Sequence, residues 1–107
     1  ERQLLPAAWV DIVATPFAGK QPQGFAPGDA VPGGHRWLNA ELPGSTRPWP
    51  DAPSDTIAAL GHWGQGLYVM PQENLVVVRY ADDRDGSFQH NELLKRVRAA
   101  FAVEVQP

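Results

Sequence analysis

Glycine and proline punctuate the first half of the chain so densely that no long regular element can form there. Pro16, Gly19, Pro22, Gly24, Pro27, Gly28, Pro32, Gly33 and Gly34 leave no amphipathic period between them, and Pro43, Gly44, Pro48, Pro50 and Pro53 repeat the pattern. Together Gly 10 and Pro 11 make up about a fifth of 107 residues, against a usual background of about 12%. That excludes a helical bundle and a coiled coil. Hydrophobic residues at 43% and charged residues at 20% exclude wholesale disorder. Residues 1–107 read as a single partial domain with a loop-rich stretch over 16–55 and a more regular second half.

Regular elements flank and follow that stretch. Leu4, Leu5, Ala8, Trp9 and Ile12 recur at helical spacing, with Pro6 tolerated only in the first turn and Pro16 as the stop. No cap precedes this apolar face, so the opening reads as lying inside a larger fold. His35–Asn39 is a short strand candidate. From residue 56 to 81 the pattern predicts a three-stranded antiparallel β-meander: Thr56–Leu60, Leu67–Met70 and Leu75–Tyr80. Gly61–Gly66 forms the first corner and Pro71–Asn74 the second, with proline placed to start the turn. Ser87 is the expected N-cap of a helix to about Val103, with Leu93, Leu94, Val97, Ala100 and Phe101 as its apolar stripe. The fold class is therefore α+β.

Leu75-Val76-Val77-Val78 is apolar without alternation, which predicts burial on both faces of the sheet. One helix covers one face. The sequence thus implies missing partners: more sheet on one side and more helix on the other.

Charge and composition remove several functions. Lys+Arg 9 against Asp+Glu 12 gives a net charge of −3, with a pI near 5.5, so there is no excess of positive charge to neutralise a phosphate backbone and nucleic acid is not the expected partner. No apolar run is long enough for a membrane span. Without cysteine there is no disulfide, thiolate metal site or cysteine nucleophile. Ser45, Ser54 and Ser87 are followed three residues on by Pro48, Ile57 and His90, so S-x-x-K is absent, as are G-x-S-x-G, Y-x-N and H-E-x-x-H. His35, His62 and His90 are too far apart in sequence to suggest a metal cluster. Asp83, Asp85 and Glu92 fit positions three, five and twelve of a calcium loop around Gly86, but Ala81 would take the first ligand position and cannot coordinate. A solvated strand-to-helix turn is the simpler reading.

Gly61-His62-Trp63-Gly64-Gln65-Gly66 is the most informative stretch. Its glycines suit either a tight β-connection or a place where a substrate approaches the backbone closely and an amide, such as that of Gln65, donates to a developing oxyanion. Trp9, Trp37, Trp49 and Trp63 are many for so short a chain. Core filling is the default, while Trp37 and Trp63, beside loops or glycines, could line a pocket.

The run from Thr56 through Gly61-His62-Trp63-Gly64-Gln65-Gly66 to Pro71, then Leu75-Val76-Val77-Val78-Arg79 and Asn91-Glu92-Leu93-Leu94, resembles the C-terminal end of the β-lactamase-like serine hydrolases. Trp37-Leu38-Asn39 and Leu4–Val10 are similar to that family too. The family includes class C β-lactamases, penicillin-binding-protein-like enzymes and related esterases and amide hydrolases. The resemblance implies the C-terminal part of a β-lactamase/transpeptidase-like fold, with His62-Trp63-Gly64 as the family's third motif on the strand edging the active site. It implies that His62 orients a substrate carboxylate or serves the proton network, and that the Gln65 backbone N–H is an oxyanion donor. Trp63, Gly64 and Trp37 would contact substrate. It further implies acyl transfer through a serine on an ester, amide or β-lactam, without metal or organic cofactor. The nucleophile would lie ahead of Glu1, and this chain alone would be inactive. N-terminal strands of the same domain would pair with Leu75–Tyr80; without them that edge would be open, which implies self-association or dependence on the missing segment. Many such enzymes are exported by bacteria; the sequence leaves this chain's localisation open. A non-catalytic module for sugars or cell-wall peptides, using Trp37 and Trp63 as platforms, is the alternative.

Overall fold

The computed structural model describes residues 2–16, 31–41 and 46–105. The chain is α+β: a helix α1 (Ala7–Val13), strands β1 (Val31–Pro32), β2 (Trp37–Leu38), β3 (Ile57–Leu60), β4 (Gly66–Met70) and β5 (Leu75–Arg79), and a terminal helix α2 (His90–Val105). All five strands pair antiparallel in chain order. The predicted three-stranded meander thus gains two short strands from the loop-rich stretch. Two residues are too few to show an alternation, which is why only His35–Asn39 was legible and only as a single candidate.

Register fixes the two faces of the sheet. Ala58, Tyr68 and Val77 share one row, Leu60, Gly66 and Arg79 the next, and Met70 lies opposite Leu75. These side chains project to the same side. There Ala58, Tyr68 and Met70 form the core with Leu94 of α2 and with Trp49 and Ala52 from the loop before β3. Leu60, Leu75, Val77 and Leu93 pack against it. The other face carries Ile57, Val69 and Val76 in one row and Ala59, Leu67 and Val78 in the next. At its β1–β2 end Leu38 and Val31 are buried, and the Gly33–Gly34 backbone lies against Ile12 and Val13 of α1. Toward β5 this face opens: Val76 is 58% and Val78 57% exposed. The expectation that β5 is covered on both sides is therefore met on one side only within this chain, because α2 packs on the inner face and α1 reaches only the far end of the outer one.

Asn39 holds the loop before β3 to the sheet. Its buried Nδ2 donates to the carbonyls of Trp49, Ala52 and Pro53, at 2.8, 3.2 and 3.0 Å, and its Oδ1 accepts from the Trp49 N–H at 2.8 Å. Both ends of the buried amide are thus hydrogen-bonded, as low-dielectric burial requires.

Helix α2 begins at His90 rather than after Ser87. The Ser87 hydroxyl points to Asp83 Oδ1 (3.5 Å), and the Ser87 N–H donates to Asp83 Oδ1 (3.2 Å) and Asp85 Oδ1 (3.1 Å), so Ser87 belongs to the preceding carboxylate turn. The Leu93 N–H donates to the Gln89 carbonyl at 3.3 Å. Among the described residues no helix is long and apolar enough to cross a membrane.

Candidate functional site

The β3–β4 corner is a strained turn. His62–Gly64 make one turn of 3-10 helix, within which Trp63 sits at φ 57° and ψ 40°, followed by Gly64 at φ 84°. Those angles approach the central pair of a type I′ hairpin turn, where Asn-Gly is usual. A bulky aromatic at positive φ is unusual and is kept only when its surroundings over-determine it.

The surroundings here come from the segment after β5. Arg79 Nη1 donates to the Gly64 carbonyl at 2.6 Å, and its guanidinium lies 3.3 Å from the Phe88 ring centroid. The Asp83 N–H donates to the Trp63 carbonyl at 2.9 Å. Gln65 bonds the backbone of Ala81 in both directions, Nε2 donating to its carbonyl and Oε1 accepting from its N–H at 3.0 Å. Gly61 closes the corner by donating to the Gln65 carbonyl at 2.9 Å. Gly64 is required twice over. Its φ is left-handed, and a Cβ there would stand 2.6 Å from Arg79 Nη1 and 3.0 Å from Asp83 Cβ.

Behind the clamp is a second polar layer. Tyr68, fully buried, folds back over Gly66, where a Cβ would collide with its ring. The Tyr68 hydroxyl pairs with His90 Nδ1. Burial pushes the Tyr68 phenol above its usual value, partly offset by the charge of Arg79. Burial, then the Arg79 charge, hold the His90 imidazolium below its usual value against the opposing pull of Asp83.

The structure brings His62, Trp63, Gly64 and Gln65 together in this corner. The His62 and Trp63 rings are 4.4 Å apart between centroids, and the Arg84 guanidinium lies 4.2 Å from the Trp63 ring. Trp63 is 43% exposed and His62 is exposed beside it. Trp37 stands elsewhere. It is on β2 opposite Ala58, 36% exposed, and lines a groove of about 390 Å³ with Pro32, Gly33, His35 and Arg36. A larger groove of about 450 Å³, lined by Glu73, Asn74, Leu75, Arg98, Phe101 and Ala102, lies at the β4–β5 turn, the opposite end of β4 from the corner. Of the four tryptophans only Trp49 fills the core.

The acidic residues considered for calcium engage their own chain. Asp83 and Asp85 accept from Ser87, whose donors hold the Asp85 carboxyl below its usual range, and Glu92 faces Lys95 and Arg96. Among the described residues no group of three His, Cys, Asp or Glu could hold a metal ion.

Sequence reading missed Arg79, the Asp83 backbone and the Gln65 side chain as parts of the corner. One signal for Arg79 was available: a charge ending an apolar strand two positions after Val77 lies on the covered face and needs a buried acceptor. Comparison with protein-family models, with curated proteins and with solved structures gave no match.

Proposed function

We propose that this chain is the C-terminal part of a β-lactamase-like acyl-serine hydrolase, and that the His62–Gln65 corner is its substrate-facing wall. One observation supports this above the others: a bulky, exposed residue, Trp63, is held at positive φ by Arg79, Asp83 and Gln65, at the place where the sequence resembles the family's third motif. Backbone strain maintained by dedicated contacts is a common mark of functional sites.

In this reading a serine from another part of the fold attacks an ester, amide or β-lactam carbonyl, and the tetrahedral oxyanion takes a hydrogen bond from the Gln65 N–H. A lysine and a tyrosine outside this chain handle the serine proton, and water then releases the acyl group. His62 orients the substrate carboxylate or joins the proton network. Trp63 and Gly64 shape the wall, with Trp37 contacting substrate farther along the sheet. The chain by itself has no nucleophile motif and is inactive. Its β5 edge is then covered by an N-terminal segment of the same fold or by a second copy.

The reading is tested by the open reading frame that encodes the chain. It requires S-x-x-K followed by Y-x-N ahead of Glu1 in the same frame, and a start codon directly before Glu1 overturns it. Turnover of a chromogenic cephalosporin or a p-nitrophenyl ester by the 107-residue chain overturns the inactivity. The alternative, a sugar- or peptide-binding module, draws on the exposure of Trp37 and Trp63, but the two rings sit on different elements and do not share a platform.

A further inference from the structure

Among the described residues, the backbone bonds of the sheet show which groups are left unpaired at its two edges. Gly61 donates to Gln65, so the bonded pairs of β3 and β4 continue through Ala59–Leu67 and Ile57–Val69. The alternate residues of β4 therefore bond β5, in the pairs Gly66–Arg79, Tyr68–Val77 and Met70–Leu75. Gln65 extends that ladder through its side chain to Ala81. What remains facing away from β4 are the N–H and C=O groups of Val76, Val78 and Tyr80, with Tyr80 fixed between the bonded residues Arg79 and Ala81.

The other edge is different. Gly33 donates to Arg36, which puts Val31 in the bonded pair with Leu38 and turns Pro32 outward. Proline has no N–H to offer, and β1 has only two residues. That edge is blunted in the way natural sheets avoid pairing. The β5 edge carries no proline, no lysine and no bulge, and its outward residues are 58%, 57% and 92% exposed for Val76, Val78 and Tyr80.

We propose that two copies of this chain pair antiparallel through β5 about a two-fold axis at Val78, joining their sheets into one. This register uses every outward residue. Val78 meets Val78 of the partner subunit, and Val76 meets Tyr80 of the partner subunit, a favourable β-branched–aromatic pair. Arg79 lies opposite Val77 of the partner subunit, so no like charges face each other. A register centred on Val77 instead sets Tyr80 against Asn74 of the partner subunit, and Asn74 has left the strand at φ 51°. The blunted β1 edge stops assembly at the dimer. A single strand pair falls short of the roughly 1,200 Å² of a standard stable interface, so the association is weak and concentration-dependent. This pairing does not use the corner, and of the two covers named for the β5 edge it takes the second copy.

Sedimentation velocity on the 107-residue chain, from micromolar to millimolar, is expected to show a reversible monomer–dimer equilibrium. An NMR sample mixing isotope-labelled and unlabelled chains is expected to give intermolecular contacts from Val78 methyls to Val78 and from Val76 to Tyr80. Val78→Lys, which spares the β4–β5 bonds, is expected to weaken the dimer at least tenfold, while Val78→Thr leaves it formed. A chain that is monomeric at every concentration, as an edge reserved for a strand of a longer polypeptide would leave it, overturns the proposal. So does a dimer whose contacts lie elsewhere. The isotope experiment uses the unmodified chain, so a Val78→Lys variant that fails to fold does not rescue the idea.

Discussion

Both faces of the sheet are largely apolar, yet at β5 only one of them is covered. The inner face sets Ala58, Tyr68, Met70 and Val77 against Leu94 and Trp49, while the outer face sets Leu67, Val76 and Val78 against solvent. β5 supplies valine to both. Hydrophobicity therefore does not decide which side is core here. The parity of the strand register decides it, together with the side on which α2 returns. The same parity sends Arg79 inward, to the corner, and leaves the backbone of Val76 and Val78 at the open edge. The candidate site thus depends on the inner face, and the outer face is open to another surface only toward β5.

That asymmetry is broken most directly by deletion. Leu94→Ala opens a cavity at the centre of the inner layer and is expected to cost about 3 kcal/mol. Val76→Ser on the outer face is expected to change the unfolding free energy of the monomer by less than about 0.5 kcal/mol. Urea unfolding at a concentration where the chain is monomeric checks both. Comparable losses for the two variants would mean that the outer face is also packed.

Some of this was legible in the sequence. The three long strands, the Pro71 turn and α2 follow from apolar runs and punctuation, but Leu75–Val78, apolar without alternation, carries no phase, so which of its side chains face the core did not show. β1 and β2 were not legible, because strands of two residues carry no period and are placed by Asn39 and by pairing. The helix starts at His90 because Asp83 takes the Ser87 hydroxyl and the Phe88 N–H into its own turn; a capping residue cannot be read apart from its neighbours. The glycines marked the corner correctly. What holds it did not show, since Arg79, Ala81 and Asp83 lie a whole strand away in the chain and meet the corner only once β4 and β5 pair.

A smaller effect sharpens the picture of that corner. Gly64→Ala forces a Cβ into a left-handed position against Arg79 and Asp83 and is expected to cost about 1.5 kcal/mol. The loss should come with a change in Trp63 emission, while Trp49 in the core stays buried. Arg79→Gln, which keeps a donor but removes the charge, is expected to disturb Trp63 less than Gly64→Ala does. If neither substitution alters the Trp63 signal, the clamp does not set the turn.

The smallest effects are protonic, and they report on the inner layer alone. His90 is half-buried, paired with the Tyr68 hydroxyl and facing Arg79, Phe88 and Asp83. Its folded pKa lies below the usual 6.5 because burial and then the Arg79 charge disfavour the imidazolium. The unfolded chain therefore binds the proton first. Stability from His90 is fully present above pH 6.5 and is lost as pH falls from there through the folded value. Tyr68 works in the opposite direction. Its folded pKa lies above the usual 10.0, so its contribution is present below pH 10 and is lost as pH climbs through the folded value. Urea midpoints measured at pH 7.5 and 5.5 should fall more for the native chain than for His90→Gln, which cannot take up the proton. His35 and His62 are exposed and present in both proteins, so their contributions cancel in the comparison. Equal pH dependence in the two proteins would place His90 outside the packed layer, with its imidazole as free to ionise in the folded chain as in the unfolded one.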